Sequence, residues 1–544
     1  MFVTISASKD SKWLSVRAIV YTALVAVSCV VEFDSICRAE AASASSPAAL
    51  PAFVGAVGQG AAAHGGRGGD VYHVTTLKDF SRIDDEPKIE GSLRDGIYSA
   101  NGPRTIVFDV AGPIALAEPL NIRSKDLTIA GQTSPGGITI WGYPLNVSRA
   151  TDVVIRFIRV RTGDFNARPS THPNASAAAA TGRGKKDLNA SSANAIDVGN
   201  ESCRVIIDHV SATWGMDETC SVTRCRDITI QNSIIAESLH ESFHEKGKHG
   251  FGSLIRGEVT PEDQQRGQGG YTLYGNLWAH HQQRSPSVGG EQHIAKGQTE
   301  DERRRADVNV VNNVVYNWGQ RPSHRNEFGD VRINFVGNYH VNGPSNAGAY
   351  VFREANPAKT SLYQRDNLID SDQDAVHNGA AINSPERIKK AFVEFDAGDL
   401  LIGPGSGEPF NFFATVATAV VPAEEAYHRV VNSAGASLWR DAADQRVMKS
   451  LTNRSGGPVN SQEEFRDAAG KMPGIDDLKV AERPPAFDTD RDGIPNEFEA
   501  SHGLNPNDAS DGNGTKLNPD GYTNLEVYLN SLAAPIEAKA PNHK

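Results

Sequence analysis

The chain has 544 residues, which exceeds the usual size of one compact domain unless the body is an elongated repeat fold. Its formal net charge of −12 argues against a nucleic-acid-binding protein, because phosphate recognition needs a basic surface. An acidic ligand would therefore have to be met by a local basic patch or by bound cations.

The first 45 residues have the pattern of an export signal. Three basic side chains precede the apolar run 18–31, and small residues follow at 39–44. A transmembrane anchor is the alternative, but an apolar run this short barely spans a bilayer. We therefore expect residues 1–45 to be a signal peptide and the mature protein to be secreted, extracellular or periplasmic, without a membrane partner.

Three cysteines remain in the expected mature chain, Cys203, Cys220 and Cys225. An oxidising compartment would permit one disulfide and one free thiol among them, with a pairing that the sequence does not give. A zinc site is not expected, because Cys220 and Cys225 have no second closely spaced Cys or His pair.

Short β-branched runs recur between about residues 54 and 350, where helical periodicity is nearly absent. The steps from Val205 to Ile228 and from Val308 to Val331 are each about one coil of a β-solenoid. Asparagines near the ends of the runs, as at 312–313 and 338, fit tight bends. The runs are 105–108, 127–129, 138–140, 153–157, 195–198, 205–207, 228–230, 308–311 and 331–335.

Many of these runs are almost continuously apolar, which is typical of buried parallel strands. A β-sandwich, the alternative, would alternate apolar and polar side chains at regular hairpin spacing. We therefore predict an all-β fold, a right-handed parallel β-helix, with helical C-terminal additions and a small calcium-loop tail.

The pattern changes after residue 350. Apolar side chains at helical spacing in 423–451 favour helices that pack against the solenoid, and the prolines at 484–485 mark a linker. The predicted boundaries are these: a β-helix catalytic domain at 46–415, a helical extension at 416–482, a calcium-loop module at 483–532 and a flexible tail at 533–544.

The segment 488–499 has the spacing of a calcium loop. Asp488, Asp490 and Asp492 stand at positions one, three and five, with a glycine at six and Glu499 at twelve. A second copy at 516–527 has Lys at its first position and Val at its twelfth, so we expect weak binding or none. The alternative for both copies is a solvated turn rich in Asp and Gly.

Three polar clusters lie between residues 206 and 286, separated by short apolar strands. They supply carboxylates, imidazoles, an ammonium and a guanidinium, as a groove for a polyanionic sugar and a divalent cation requires. The clusters predict an enzyme, although Arg284 alone would be read as a surface charge and Asp208-His209 as a structural strand end.

In combination these motifs resemble the secreted pectate lyases of polysaccharide lyase family 1, over about residues 50 to 350. The tail from Asp488 resembles EF-hand or thrombospondin type 3-like calcium repeats. The motifs are Gly131-Gln-Thr-Ser-Pro135-Gly, Ile-Ile-Asp208-His209, Trp214-Gly-Met-Asp217-Glu218, the segment 237–250 and His280-His-Gln-Gln-Arg284-Ser-Pro286.

The resemblance implies a monomeric enzyme that cleaves polygalacturonate by Ca²⁺-dependent β-elimination to unsaturated oligogalacturonides. On this resemblance Arg284 falls at the catalytic arginine, which removes the C5 proton. Lys246 falls near a substrate-binding lysine and is the fallback base, because burial lowers a lysine pKa readily. His244, Lys248 and His249 are the expected substrate contacts, and turn scaffolding is the alternative role of the two histidines.

The same resemblance implies a calcium site formed by Asn194, Asp197, Asp217 and Glu218. Asp217 aligns with one family ligand, whereas Asn194 stands where the family has an aspartate and Ser221 where it has a further acidic ligand. An amide oxygen coordinates calcium without contributing charge, so these departures predict a weaker site. A second arginine that follows the catalytic one in the family is missing.

Two other functions remain open at this point. A β-helical glycoside hydrolase acting on pectin would use two clustered carboxylates, release saturated products and need no Arg284. A noncatalytic glycan-binding protein, suggested by the missing acidic ligands, would bind polysaccharide without turnover.

Overall fold

Parallel strand pairing repeats from coil to coil in the computed structural model. The structure describes residues 50–167, 184, 187–257, 269–290, 305–326, 329–346, 348–354, 359–374, 376–403 and 405–537. Successive coils place their strands side by side, so the strands form three elongated sheets around one core.

The first sheet runs the length of the solenoid and is parallel throughout. Its strands are β1 (Asp70–Val74), β2 (Arg104–Phe108), β5 (Lys125–Ala130), β8 (Thr151–Arg156), β11 (Cys203–Asp208), β13 (Cys220–Gln231), β16 (Tyr271–Tyr274), β19 (Ala306–Val311), β22 (Val331–Val336), β25 (Thr360–Arg365) and β29 (Leu400–Ile402).

The second sheet is parallel except for the short strands at its two ends. Its strands are β3 (Val110–Ala115), β6 (Ile138–Trp141), β9 (Ile158–Arg161), β12 (Ser211–Thr213), β14 (Ile234–Ala236), β17 (Leu277–Ala279), β20 (Val314–Tyr316), β23 (Tyr339–Val341), β26 (Leu368–Asp370), and the antiparallel β27 (Ala380–Ala381) and β30 (Ala481–Glu482).

The third sheet shares the long strand β13 with the first, and it carries the candidate site. Its other strands are β4 (Leu120–Ile122), β7 (Leu145–Ser148), β10 (Ile196–Gly199), β15 (Leu254–Gly257), β18 (Ser287–Gly289), β21 (Ser323–Arg325), β24 (Phe352–Arg353) and β28 (Phe392–Val393). The α-helices are α1 (Leu93–Tyr98), α2 (Pro385–Ala391), α3 (Ala423–Ser433), α4 (Ala442–Asn453), α5 (Asn496–His502) and α6 (Asn524–Glu537).

The predicted parallel β-helix is confirmed, and the β-sandwich alternative is wrong. Every predicted β-branched run lies in a strand or at its end. Val205 pairs with Ile228, as the expected coil length requires. Val308 pairs with Ile333 rather than Val331, so that coil is two residues longer than the sequence spacing suggested.

The apolar runs are continuous because both faces of several first-sheet strands are buried. Val205 and Val153 stack in register inside the solenoid. Ile206 and Val154 point the other way and pack under Phe53 in a second apolar cluster. Burial on both faces favours β-branched side chains throughout the strand and hides the usual alternation.

Buried asparagines stack at one bend of successive coils. The Asn313 side-chain oxygen accepts the Asn276 backbone N–H at 2.9 Å, and the Asn338 oxygen accepts that of Asn313 at 3.0 Å. In the next coil the Asn367 side-chain oxygen accepts the Asn338 backbone N–H at 2.9 Å. The amides satisfy backbone groups that the bend removes from the sheets, as the sequence predicted.

Helices α3 and α4 lie on the outer face of the second sheet. Tyr427, Val430 and Leu451 pack there against side chains of β14, β17, β20 and β23. Arg161 on β9 is fully buried and donates to Asp441 at 2.7 Å and to Asp444 at 3.0 Å. A helical pair therefore covers the solenoid where the sequence placed helical spacing.

The described residues from Leu50 onward form one compact unit, so the predicted internal boundaries do not separate independent bodies. The predicted flexible tail at 533–544 is wrong at its start, because α6 continues to Glu537. Ala533 and Ile536 pack on Phe157 of the solenoid. The predicted signal peptide and residues 538–544 lie outside the described residues, and no described helix is both long and apolar enough for a membrane span.

Of the three mature-chain cysteines, for which the sequence permitted one disulfide without giving its pairing, Cys203 is disulfide-bonded. Cys220 and Cys225 are buried and carry no disulfide, so no bridge joins two members of this set. Their strand β13 faces the apolar core, where burial raises the pKa of the Cys220 thiol and makes it a poor nucleophile.

Candidate active site

The third sheet places polar side chains in register along its outer face. Asn121 pairs with Asn146, Asn146 with Asp197, and Asp197 with Ser221 on successive coils. These residues line a cavity of about 530 Å³, together with Asp217 and other polar side chains. Alternate side chains of a strand point to the same face of the sheet. Because these polar residues are in register from coil to coil, their side chains line up in one long groove.

Asp217, just before β13, is half-buried against two imidazoles. Its Oδ1 lies 2.8 Å from His249 Nε2 and 3.4 Å from His244 Nε2, and the two rings stack at 3.9 Å. Burial alone would raise the pKa of Asp217, but the two histidine contacts outweigh it and lower the pKa to about 2. Asp217 is therefore a carboxylate at neutral pH.

The same three side chains bring ligand atoms within 4.8 Å of one another, as a metal site would. However, His244 Nδ1 accepts the Lys246 backbone N–H at 3.1 Å, so in the neutral ring its proton is on Nε2, facing Asp217. A nitrogen that carries a proton cannot coordinate a metal, so the cluster is a hydrogen-bonding arrangement around Asp217.

Arg284 pairs with Glu218, which lines the cavity, but Arg284 itself is not among the lining residues. Its Nη1 donates to Glu218 Oε1, and its Cζ lies 4.7 Å from the centre of the Phe251 ring. Glu218 is 3 % exposed, and burial raises its pKa to about 7 despite the nearby guanidinium. The pair holds the guanidinium at a partly exposed position, 25 % accessible, beside the acidic cavity.

Asn194 organises the acidic residues. Its side-chain oxygen accepts the Glu218 N–H at 2.9 Å, and its Nδ2 donates to Asp197 Oδ1 at 3.1 Å. Burial raises the pKa of Asp197 to about 6, and the Asp217 carboxylate adds to that rise. The predicted ligands Asn194, Asp197, Asp217 and Glu218 therefore lie along one wall of one cavity.

Asp197 and Asp217 suit a hard divalent cation better than Asn194 and Glu218, the other two predicted ligands. Asp197 and Asp217 both face the cavity. Besides burial, the negative charge of Asp217 raises the pKa of Asp197. Two anions that share a site for a counter-ion show this effect. Glu218 is paired with Arg284, and the Asn194 oxygen already receives an N–H. The residues therefore fit Ca²⁺ with Asp197 and Asp217 as its main protein ligands.

The structure places Lys246, the predicted fallback base, at the surface. Lys246 is exposed, so the burial that would favour its neutral form is absent. Lys248 is also exposed, and its Nζ pairs with Glu241 Oε1 at 2.7 Å. Both ammonium groups lie on the 241–250 segment, which carries the buried His244 and His249.

Arginines that the sequence did not single out line the same cavity: Arg123, Arg224 and Arg256. Arg256 stands in β15 directly opposite Thr223 of β13, and its charge acts on Glu218. The signal for it was weak, because a lone arginine at the end of a short strand marks a site only once the register is known. These guanidinium groups supply the local basic patch that an acidic ligand needs.

The other polar motif residues have structural roles. Asp208 is fully buried and accepts from Arg156 Nε at 2.8 Å, and His209 stacks on Phe157 at 4.7 Å. His281 bonds Ser238 Oγ and the Ile235 carbonyl, both at 2.8 Å. They order strand ends and lie outside the cavity lining.

The predicted calcium loop places its acidic side chains together. Asp488, Asp490 and Asp492 bring ligand atoms within 4.8 Å, and Glu499 forms a similar group with Asp492. Burial and the neighbouring carboxylates raise the pKa of Asp492 to about 7 and that of Glu499 to about 8. The predicted second loop at 516–527 contributes no residue to either group among the described residues.

Comparisons with known proteins add to this geometry. The chain is 34 % identical over 499 residues to the probable pectate lyase C of Neosartorya fischeri, a match that covers 90 % of this chain and 96 % of that protein. It is 33 % identical to the protein of the same name from Aspergillus fumigatus, over 90 % and 96 % of the two chains. No family model matches the sequence.

Two solved structures are similar at lower identity. The major allergen from cedar pollen is 19 % identical, with a TM-score of 0.45 over 70 % of this chain and 92 % of that one. A pectate lyase from Bacillus sp. N165, solved with trigalacturonate, is 15 % identical, with a TM-score of 0.39 over 70 % and 98 % of the two chains.

The fold and the curated relatives together define the class as a polysaccharide lyase built on a parallel β-helix. Because a third of the residues are identical over nearly the whole length of the relatives, the chain belongs to the pectate lyase family.

Proposed function

We propose that the protein is a secreted, calcium-dependent pectate lyase that cleaves polygalacturonate by β-elimination and releases unsaturated oligogalacturonides. The observation that carries this proposal is the Arg284 guanidinium held by Glu218 beside a cavity that also presents Asp197 and Asp217. Membership of the pectate lyase family supports the same substrate.

The reaction needs a base at C5 of a galacturonate unit and a leaving oxygen at C4. Arg284 is the proposed base. A guanidinium normally keeps its proton far above neutral pH, so the site has to favour the neutral form when substrate is bound. Water exclusion by the substrate and further positive charge in the cavity, including Arg256, would act in that direction.

A cation would be held by Asp197 and Asp217. When bound, Ca²⁺ would neutralise the substrate carboxylate and so make the neighbouring C5 proton more acidic. Asp217 is suited to this role because its contacts with His244 and His249 keep it ionised at neutral pH.

The guanidinium groups along the third sheet would bind further uronate carboxylates. Arg123, Arg224 and Arg256 come from different coils of the cavity wall, so they can meet successive sugar units of a bound chain. Paired guanidinium and carboxylate groups give bidentate contacts that fix both position and orientation. The exposed Lys246 and Lys248 are proposed as additional substrate contacts, and their exposure excludes the burial argument for a lysine base.

One observation favours a second candidate, the glycoside hydrolase. Two carboxyl groups with raised pKa values, Asp197 at about 6 and Glu218 at about 7, lie in the same cavity as the ionised Asp217. Hydrolysis of a glycosidic bond requires one carboxyl group that is protonated, with a raised pKa, and a second that is ionised, with a lowered pKa. The two reactions differ in their products, because hydrolysis leaves no new double bond.

The test is product analysis on polygalacturonate. We expect the purified protein to form ultraviolet-absorbing unsaturated uronides, to lose this activity with a chelator and to regain it with added Ca²⁺. Arg284→Gln should lose it at every calcium concentration, while Arg387→Gln, an exposed arginine on α2, should match the wild type. Saturated products that survive Arg284→Gln would establish hydrolysis, and binding without any product would establish the noncatalytic alternative.

A further inference from the structure

The C-terminal segment holds a set of buried carboxylate oxygens that no protein donor satisfies. Both side-chain oxygens of Glu499 and of Asp490 lack a hydrogen-bond partner, as do Asp492 Oδ2 and Asp511 Oδ1. Glu499 is 0 % exposed and Asp492 4 %. Because an unpaired buried carboxylate is costly, these oxygens indicate a missing positive ligand.

Asp511 is the unexpected member of this set. It lies outside the predicted twelve-residue loop, yet its side chain comes within 4.8 Å of Asp492 and Glu499. Its Oδ2 accepts the Asn505 N–H at 2.8 Å, which leaves Oδ1 directed at the other carboxylates. Asp492 is held in the same way, with Oδ1 on the Ile494 N–H at 2.8 Å and Oδ2 unpaired.

The loop also touches the first coils of the solenoid. His73 on β1 lies 3.6 Å from Asp488 Oδ2, and its Nε2 lies 3.2 Å from the Arg491 carbonyl oxygen. Beyond the loop, Asn513 Nδ2 donates to the Gly69 carbonyl at 2.9 Å, and Arg67 Nε pairs with Glu526 at 2.8 Å.

Apolar contacts join the same parts. Ile494, which follows the loop glycine, and Leu525 and Leu529 of α6 share a buried cluster with Ala130 of β5. The acidic loop therefore lies between two helices and the solenoid surface, so the loop conformation decides how both helices meet the first coils.

We propose that one Ca²⁺ binds among Asp488, Asp490, Asp492, Glu499 and Asp511, and that this ion fastens the C-terminal segment to the first coils of the solenoid. Asp511 is the ligand that lies outside the loop 488–499 and completes its acidic group. Asp490 and Glu499 each offer two unpaired oxygens, and Asp492 and Asp511 offer one each. This number of oxygens suits the high coordination number of Ca²⁺ better than the octahedron of Mg²⁺. The inference does not rest on the lyase reaction.

The test uses the full chain, stripped of metal and titrated with CaCl₂ by calorimetry, with MgCl₂ as a parallel arm. We expect Asp511→Asn and Glu499→Gln each to weaken one calcium-binding step about tenfold or more. Asp508→Asn, a neighbouring exposed aspartate bonded to Ser510, should leave the titration unchanged. Wild-type affinity in Asp511→Asn would overturn its assignment as a ligand, and equal affinity for Mg²⁺ would overturn the choice of ion.

Hydrogen exchange tests whether calcium fastens the C-terminal segment to the solenoid. This measurement needs only the wild-type protein, so it remains possible if a variant fails to fold. Calcium should slow exchange in both β1 and α6 relative to chelator-treated protein, since an ion that binds the native state stabilises what it joins. Asp217→Asn, which alters the proposed catalytic cation site, should retain that slowing, so loss of lyase activity would not affect the result. Protection confined to the 488–499 loop would overturn the fastening role.

Discussion

Arg284 is constrained on two sides, by the carboxylate of Glu218 and by the ring of Phe251. The contacts hold the guanidinium next to Glu218, a residue of the cavity lining, and leave it partly accessible. The anchor is a buried carboxylate, and burial disfavours its charged form. The pKa of Glu218 is therefore raised to about 7. Such a cost is usual where a reactive group has to be held in one orientation.

Replacement of the anchor should therefore affect turnover more than binding. We expect Glu218→Gln to lower kcat on polygalacturonate about 10- to 100-fold, because a misplaced reactive group loses alignment while remote substrate contacts persist. KM should change little in steady-state assays with added calcium. Glu386→Gln, an exposed residue of α2, serves as the control.

An unchanged kcat in Glu218→Gln would contradict the anchoring role, whereas a matched loss in thermal stability would indicate that the pair is only structural. The midpoint of thermal unfolding should therefore be measured on the same preparations.

Sequence motifs found Arg284, Asp217 and the calcium loop because each belongs to a fixed local spacing. The basic residues of the groove, such as Arg256, were missed because they share a wall only through the register of separate coils. The exposure of Lys246 was not visible in the sequence for a related reason, since exposure is a property of the folded segment. Local spacing thus singled out candidate residues but not their surroundings.

Among the elements, α4 is attached to the solenoid by charge as well as by apolar contact. Arg159 and Arg161 of β9 meet Asp441 at 3.1 and 2.7 Å, and Asp441 and Arg161 are both inaccessible to solvent. The arginines outweigh burial and hold the pKa of Asp441 below its ordinary value. The helix is therefore fixed to the sheet at its first turn.

Removal of that carboxylate should be strongly destabilising. We expect Asp441→Asn to lower the free energy of unfolding by about 3–5 kcal/mol, because two buried guanidinium groups lose the negative charge of Asp441 and only Asp444 remains to balance Arg161. Urea unfolding followed by circular dichroism measures the change. Glu425→Gln breaks a partly exposed i,i+4 pair with Arg429 on α3 and should cost about 0.5 kcal/mol or less.

A loss below about 1 kcal/mol in Asp441→Asn would show that water replaces the carboxylate, and it would remove the argument for a charge-based attachment.

The strands were predictable because burial on both faces makes their sequences continuously β-branched, as in 205–207 and 331–335. The third sheet was less visible, since strands such as β18 (Ser287–Gly289) are short and polar. Helices α3 and α4 appeared in the sequence as one stretch, and the break between them at 434–441 depends on their fit to the second sheet.

For the whole molecule, buried neutral histidines predict sensitivity to acid. Burial lowers the pKa of His280 to about 4 and that of His281, His324 and His340 to about 3. An unfolded chain binds protons on these side chains near pH 6.5, before the folded protein does. Their contribution to stability is therefore complete above about pH 6.5 and declines as the pH falls toward 4.

His340 allows this to be tested, because both of its ring nitrogens are buried without a hydrogen-bond partner. We expect His340→Leu to reduce the slope of unfolding free energy against pH by up to about 1.4 kcal/mol per pH unit between pH 6 and 4. Urea midpoints at several pH values give that slope. His428→Gln, on an exposed histidine of α3, should leave it unchanged, and an unchanged slope in His340→Leu would contradict the prediction.

The contact of residues 485–537 with β1, β5 and Phe157 joins distant parts of the chain. During synthesis the coils that emerge first remain uncovered until more than four hundred further residues have followed, as the Arg67–Glu526 separation of 459 positions shows. Those first coils therefore cannot acquire their native C-terminal contacts until the chain is almost complete. A polypeptide that must be threaded through a translocation pore before it folds would benefit from such a delay.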